Sequence, residues 1–371
     1  MQYKKKLNLQ KKVSLKKIKL IIISLSRIGD LILTLPIMQN IKKELPNSEI
    51  CILTYYDCQK VLSGFNCYDQ IICIDRKRNI VEQILLLFKI YKKFDYSFSF
   101  QTGDKPTLFS ILSGKSTHGL LSVDANAWKR KLLTKFLYHD NNKHVVNNSW
   151  SLVSNFLGLK SFKNNVHEFN IAKKFDEFSL PENFIVVHPC AKFSYKELRS
   201  DQWVELINTL IKKGENIVLI SGSSKKELQL ANNIHRRLPS VVKNYAGAFE
   251  IEQIPVLLKK AKLFIGLDSS ISHLSALLGL KTVVIFGPTN PKTWIPVPIN
   301  YEINNSFDLT PLDQIVKSGI FSNVLLISNI NFECMPCENE GCEKNINSVS
   351  NCLLQLDLQL FSRKIYKFLI S

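Results

Sequence analysis

The sequence predicts an α/β protein with two Rossmann-like domains facing across a central cleft. Three observations carry that reading. The chain has 371 residues, 45% hydrophobic and 22% charged, which is too long for one small core and suits two. Its first half alternates short β-branched runs with stretches of helical periodicity, the pattern of an open sheet with helices on both faces. After a polar, irregular middle the same alternation begins again.

Residues 18–24 (IKLIIIS) are a continuous apolar run, as in a parallel strand buried on both faces. The loop LSRIGD follows, then helical periodicity through LILTLPIMQNIKKEL. Residues 49–54 (EICILT) and 70–75 (QIICID) read as strands, 80–93 as a helix and 96–100 as a short strand. Residues 162–182 are polar and broken by Pro181, which places the inter-domain linker there. The second series opens with a strand at 184–188 (FIVVH). A helix at 200–213 has Asp201 in its first turn and Gly214 as its stop. Then come a strand at 216–221 (NIVLIS), helices at 225–238 and 251–261, a strand at 263–268 (LFIGLD), a helix at 270–278 and a strand at 282–286 (TVVIF). The expected division is a basic extension (1–17), an N-terminal domain (18–165), a C-terminal domain (183–330), and a Cys-rich tail with a final helix (331–371).

The formal net charge is +18. So basic a surface favours anionic partners: nucleic acid, anionic lipid or a phosphorylated substrate. Lys4, Lys5, Lys6, Lys11, Lys12, Lys16, Lys17 and Lys19 crowd the first segment. That segment is either a solvated tail or a tether to an anionic membrane face, where each Lys contributes roughly 1 kcal/mol. Glycine and proline are not enriched, which excludes collagen-like and long low-complexity chains. The apolar stretch 20–24 is too short for a signal peptide, and no run is long enough to span a bilayer. The expectation is a cytoplasmic protein, peripheral on the cytoplasmic face of the inner membrane. In a reducing compartment its nine cysteines are not a disulfide framework.

Three loops stand at carboxyl ends of predicted strands, where α/β proteins place their chemistry. In Ser26-Arg27-Ile28-Gly29-Asp30, Asp30 is either a helix cap or a general base that takes the proton of an attacking hydroxyl. In the segment from His188 to Lys196, Lys192 and Lys196 are either solvated or hold a diphosphate, whose charge grows as it departs. In the third loop a strand ends at Asp268 and a helix begins at once. The N–H groups of Ser269, Ser270 and Ile271 there are a ready phosphate site, unless Asp268 or Ser269 caps them. His273 is either part of that site or a half-buried helix residue. No D-x-D motif occurs in the chain, which favours a mechanism without a catalytic metal. Near the end, Cys334, Cys337, Cys342 and Cys352 are spaced C-x2-C-x4-C-x9-C. Four thiolates at such spacing suit a structural zinc or iron site, the alternative being free thiols.

Taken together, these motifs resemble glycosyltransferase family 9, the lipopolysaccharide heptosyltransferases, over almost the whole chain. ISLSRIGDLILTLPIMQNIKKELPNSEI is similar to the family's opening strand, loop and helix. HPCAKFSYKEL and NIVLISGSSKKE are similar to the start of its donor domain, and LFIGLDSSISHLSALLGLKTVVIFGPTNPKTW to its most diagnostic stretch. The resemblance implies a GT-B architecture whose final helix crosses back to the first domain. It implies ADP-L-glycero-β-D-manno-heptose as donor, a phosphorylated glycolipid of the lipopolysaccharide core as acceptor, and an inverting displacement with no cofactor. It implies Asp30 as base, Lys196 as a phosphate contact, Asp268, Ser269, Ser270, Ile271 and His273 as the donor loop, and Glu227 as an acidic donor contact. Asp268-Ser269-Ser270 stands where the family commonly has Asp-Thr-Gly, and Leu198 where many members have tryptophan. Two other readings remain beside it. One keeps the fold with another nucleotide-sugar or acceptor, such as capsule, surface glycan or protein. The other is a nucleic-acid-binding protein with a zinc knuckle; it leaves most of the chain unexplained, so no nucleic acid is expected.

Overall fold

The structure is a computed structural model that describes residues 17–77, 80–166, 178–303, 318–329 and 331–371. The chain divides into two units, Met1–Asn170 with Asn300–Asp313, and Ile171–Ile299 with Gln314–Ser371.

The first unit is built on β1 (Lys19–Ile23), β2 (Glu49–Tyr55), β3 (Gln70–Ile74), β4 (Phe94–Ser99), β5 (Gly114–Leu121) and β6 (Lys135–Tyr138). They form one parallel sheet in the order β3-β2-β1-β4-β5-β6. Leu20, Ile21, Ile22 and Ile23 of the central β1 are wholly buried, so both sides of the strand need covering. The helices that connect the strands are α1 (Ile28–Ile32), α2 (Leu35–Glu44), α3 (Ile80–Ile90), α4 (Asp104–Ser113), α5 (Ala127–Leu132) and α6 (Val145–Leu157). The long periodic stretch after the first loop is two helices rather than one. Thr34 is the N-cap of α2, with Pro36 in its first turn, where proline's missing N–H has no helical partner to lose. The short β7 (Phe162–Lys163) closes this part of the chain.

The second unit repeats the winding. Its strands are β8 (Phe184–His188), β9 (Asn216–Ser221), β10 (Lys243–Ala246), β11 (Leu263–Leu267) and β12 (Thr282–Phe286). After β13 (Glu302–Ile303), which belongs to the first unit, come β14 (Gly319–Phe321) and β15 (Val324–Ser328). The order is β10-β9-β8-β11-β12-β15-β14, parallel except for the edge strand β14. The helices are α7 (Ser200–Ile211), α8 (Lys225–His235), α9 (Ile254–Lys260), α10 (Ser270–Leu277), α11 (Pro291–Trp294), α12 (Asn351–Leu354) and α13 (Leu358–Ile370). Gly214 follows α7 at φ +84°, the left-handed turn expected of a helix stop.

The boundaries differ from the sequence expectation in three places. Residues 300–303, expected within the C-terminal domain 183–330, pack on the first unit. There β13 pairs antiparallel with β7, Asn164 N–H donates to the Tyr301 carbonyl at 2.8 Å, and the Tyr301 hydroxyl donates to Asn147 at 3.0 Å. The tail 331–371 is not a separate piece but part of the second unit. The final helix α13, expected to cross back to the first domain, belongs to the second unit: it lies on α7, and its Leu358, Phe361, Ile365 and Phe368 complete that unit's core. Residues 1–16 of the basic extension 1–17 and residues 167–177 of the expected linker lie outside the described residues. Among the described residues, no helix is long and apolar enough to cross a membrane.

Ile365 is fully buried, so Ile365→Ala is expected to lower the unfolding free energy by about 2–4 kcal/mol. The urea midpoint checks this. A loss no larger than that of Leu360→Ala, on the exposed side of α13, would mean that the helix is not part of this core.

Candidate active site

Each sheet reverses its strand order once, between β1 and β4 in the first and between β8 and β11 in the second. Ligands of such sheets bind past the carboxyl ends of the strands at that switch point. Of the residues singled out from the sequence, Asp30 after β1, Lys192 and Lys196 after β8, and Asp268 to His273 after β11 follow the strands at these switch points, whereas Glu227 follows β9.

In the second unit Lys196 follows β8 and Asp268 follows β11. The Lys196 ammonium donates to Asp268 Oδ2 at 2.5 Å, with both side chains largely buried. Asp268 is therefore engaged with a lysine and does not cap α10. Ser269, the N-cap, makes no side-chain cap bond either. The leading N–H groups of α10 thus keep their donor capacity for an incoming anion. Ser272 takes the other direction: its hydroxyl donates to the Leu267 carbonyl at 2.5 Å. Gly266 makes room for it, since a Cβ there would stand 2.7 Å from the Phe264 ring and 3.2 Å from Ser272 Oγ. Ile271 and His273 are buried within α10.

Glu227 lies at the start of α8. It accepts the Ser224 hydroxyl at 2.5 Å, and a Cβ on Gly222 would meet its carboxylate at 2.6 Å. Lys192 is exposed, its ammonium 5.9 Å from the Phe193 ring centroid. Lys226, not singled out from the sequence, pairs with Glu197 at 2.8 Å, and Glu197 accepts the Ala191 N–H at 3.2 Å. These contacts fix the loop that carries Lys196.

The tail supports the same loops. The Ser350 hydroxyl donates to the Tyr195 carbonyl at 2.6 Å, beside Lys196. Gln202 donates to the Leu353 carbonyl at 2.8 Å, and Glu338 N–H to the Pro288 carbonyl at 2.8 Å. A Cβ on Gly287 would stand 2.7 Å from Leu353. Sequence reasoning looked to the tail for a metal and missed this buttress.

The four tail cysteines share one neighbourhood, since Cys337, Cys342 and Cys334 each raise the Cys352 thiol electrostatically. Cys352 is buried in the core of the second unit, whereas Cys334 and Cys342 are exposed. Burial, then the neighbouring Cys337 and Cys342, push the Cys352 thiol up to about 12. Among the described residues, no three His, Cys, Asp or Glu side chains converge to hold a metal ion.

In the first unit Asp30 is the third residue of α1 rather than its cap. Its Oδ2 accepts the Ser26 hydroxyl at 2.5 Å and the Arg27 N–H at 3.2 Å, while Oδ1 takes no bond among the described residues. Asp30 is thus held by one oxygen and offers the other. Beside it lies a cluster the sequence reading missed. Arg76, just past β3, pairs with Asp57 at 2.8 Å and donates to the Ser26 carbonyl at 2.7 Å. Its guanidinium lies 4.0 Å from the Tyr55 ring centroid, and the Lys105 ammonium lies 5.3 Å from the same ring. Burial, then the Arg76 charge, lower the Lys105 pKa. Arg76 and Lys105 thus share one ring, with the Arg76 charge already paired with Asp57. The available signal was Asp75-Arg76-Lys77 at a strand end.

Two doubly wound sheets of this kind, the second with a phosphate-receptive helix start at its switch point, have the build of the GT-B class of transferases. The family model described as Glycosyltransferase family 9 (heptosyltransferase) matches residues 92–325. Lipopolysaccharide heptosyltransferase 3 of Escherichia coli K12 is 23% identical over 72% of this chain and 82% of its own. Lipooligosaccharide heptosyltransferase 2 of Campylobacter jejuni is 26% identical over 85% of this chain and 88% of its own. The solved structure of E. coli ADP-heptose lps heptosyltransferase II covers 95% of this chain and 98% of its own at TM-score 0.69 and 17% identity. The chain belongs to glycosyltransferase family 9, and it is a transferase of the heptosyltransferase kind.

One group at the site gives a pH dependence. His188, the last residue of β8, is buried, its Nδ1 has no hydrogen-bond partner among the described residues, and burial lowers its pKa to about 4. Unfolded, it takes a proton near 6.5. Between these values the unfolded state binds more protons, so stability falls as pH drops below about 6.5 and the loss is complete below about 4. At pH 5 His188 accounts for about 2 kcal/mol of that loss. His118, also lowered to about 4 by burial, contributes in the same sense. Urea unfolding at pH 7 and pH 5 should therefore show a smaller difference in His188→Gln than in the parent. An unchanged difference would mean that His188 does not titrate in this way.

Proposed function

We propose that the enzyme transfers heptose from ADP-L-glycero-β-D-manno-heptose to a phosphorylated glycolipid of the lipopolysaccharide core, by a single inverting displacement. The observation that carries this reading is the helix start of α10, left without a side-chain cap beside the Lys196–Asp268 pair. A diphosphate has donors and a cation there at once. The resemblance of the chain to an ADP-heptose transferase supports the choice of donor.

In this mechanism the acceptor hydroxyl oxygen bonds to the anomeric carbon as the bond from that carbon to the phosphate oxygen breaks. Asp30 takes the hydroxyl proton on its open oxygen, and the electron pair of the broken bond leaves with ADP. Ser26 and Arg27 orient the carboxylate. Lys196 and the N–H groups of Ser270 and Ile271 stabilise the charge on the departing diphosphate, a part that a divalent metal plays in transferases with a D-x-D motif. Lys192 and Glu227 flank the donor. Arg76 and Lys105 receive an acidic group of the acceptor.

ADP release from ADP-heptose on addition of heptose-truncated lipopolysaccharide tests this. Asp30→Ala is expected to lower acceptor-dependent turnover by about 10²–10⁴-fold while donor binding, read by calorimetry, persists. Lys196→Ala should instead weaken donor binding. Release by no truncated acceptor, or with another nucleotide-sugar alone, would overturn the donor and acceptor assignment and leave the family unchanged.

A further inference from the structure

Helix α3 carries its apolar face outward. Residues 81, 84, 85 and 88 recur at i, i+3, i+4 and i+7 and so share one side. That side is Val81, Ile84, Leu85 and Phe88, exposed by 55%, 46%, 56% and 75%. The opposite side does the packing: Ile90 is buried and Gln83, Leu86 and Leu87 are half-buried, where α3 lies against α4. Just past the helix Tyr91 is exposed, and α4 adds the exposed Leu108. A contiguous apolar stripe of this kind on an exposed helix marks an interaction surface rather than scattered surface residues.

The charge around the stripe identifies its partner. Residues 76–93 hold six basic side chains and one acidic, Glu82. Lys77, Lys89 and Lys93 are exposed, and Lys89 borders the stripe one position past Phe88. Lys92 is committed elsewhere, donating to the Ile111 and Gly114 carbonyls at 2.9 and 2.7 Å. A second copy of the chain would bring the same basic rim against itself, which opposes self-pairing. Anionic phospholipid meets that rim with opposite charge and the stripe with acyl chains.

We infer that α3 lies in the headgroup region of an anionic phospholipid bilayer, with Val81, Ile84, Leu85 and Phe88 embedded and Lys77, Lys89 and Lys93 on the phosphates. Arg76, of the proposed acceptor cluster, stands four positions before the first residue of α3. The helix would thereby bring the acceptor-side loops to the surface from which a lipid-anchored acceptor projects. In that purpose the inference rests on the proposed acceptor; its test does not.

Full-length protein is floated with vesicles of phosphatidylcholine alone, or of phosphatidylcholine mixed with phosphatidylglycerol, free of any glycolipid. The parent is expected to float with the anionic vesicles. The double variant Leu85→Ser/Phe88→Ser should lose about tenfold or more in partitioning with an unchanged circular dichroism spectrum. Lys89→Glu/Lys93→Glu should lose the preference for phosphatidylglycerol. Because no sugar transfer is read, failure of the proposed donor or acceptor leaves this result intact. The inference is overturned if the parent floats with neither vesicle, or if the Ser double variant floats as well as the parent. It is also overturned if the parent does not float but is a dimer by light scattering that the Ser variant breaks, since the face would then join two copies of the chain.

Discussion

A strand that is apolar on both sides has to be covered on both sides, and most of this molecule follows from that. Leu20–Ile23 of β1 and Phe184–Val187 of β8 are buried throughout, so each sheet needs crossover helices on both faces, and crossovers make neighbouring strands parallel. Parallel strands in turn bring their carboxyl ends to one edge. Polar side chains excluded from the faces collect at that edge, where the strand order reverses. Asp30 after β1, and Lys196 with Asp268 after β8 and β11, stand where they do for this reason.

The parts of the fold legible in the sequence are those that obey the same rule. The strands at 184–188, 216–221 and 282–286 fall where continuous apolar runs predict them. β5, with the sequence GKSTHGLL, has no such run, yet it is an interior strand. Its place is set by small residues and hydrogen bonds instead: a Cβ on Gly114 would stand 2.4 Å from Ser97 Oγ, and the Ser97 hydroxyl donates to the Ser110 carbonyl at 2.7 Å. Helix α6 hides its nature in the same way. Its Asn147 and Asn148 are buried, satisfied by Tyr301 and by the loop at Asp140. A partner as distant in sequence as Tyr301 is from Asn147 leaves no periodic trace.

The site divides along similar lines. Asp30, Lys196 and Asp268 each stand at a strand end and could be read locally. Arg76 and Lys105 acquire meaning only once Tyr55 brings them together, and Glu197 and Lys226 once they brace the loop of Lys196. The cysteine spacing says nothing of direction: Cys352 turns into the core, whereas Cys334 and Cys342 are exposed. What the tail supplies is Ser350 and Leu353, whose partners Tyr195 and Gly287 belong to two of the second unit's strand-end loops.

The Lys196–Asp268 pair has zero net charge, which raises the question of how it attracts a diphosphate. An ammonium has three donors, and Asp268 occupies one. The carboxylate holds the nitrogen in a fixed direction, with its two other protons left for phosphate oxygens. The same carboxylate would repel the diphosphate, and the donors at the start of α10 offset that repulsion because no side chain caps them. Had Asp268 capped α10, as its position at a helix start suggests, both resources would be lost together: the helix donors would be filled and Lys196 left undirected. A carboxylate at that position therefore serves binding through the residue it does not cap, and the buried setting of the pair holds it to that partner, since removing either member would leave an uncompensated buried charge.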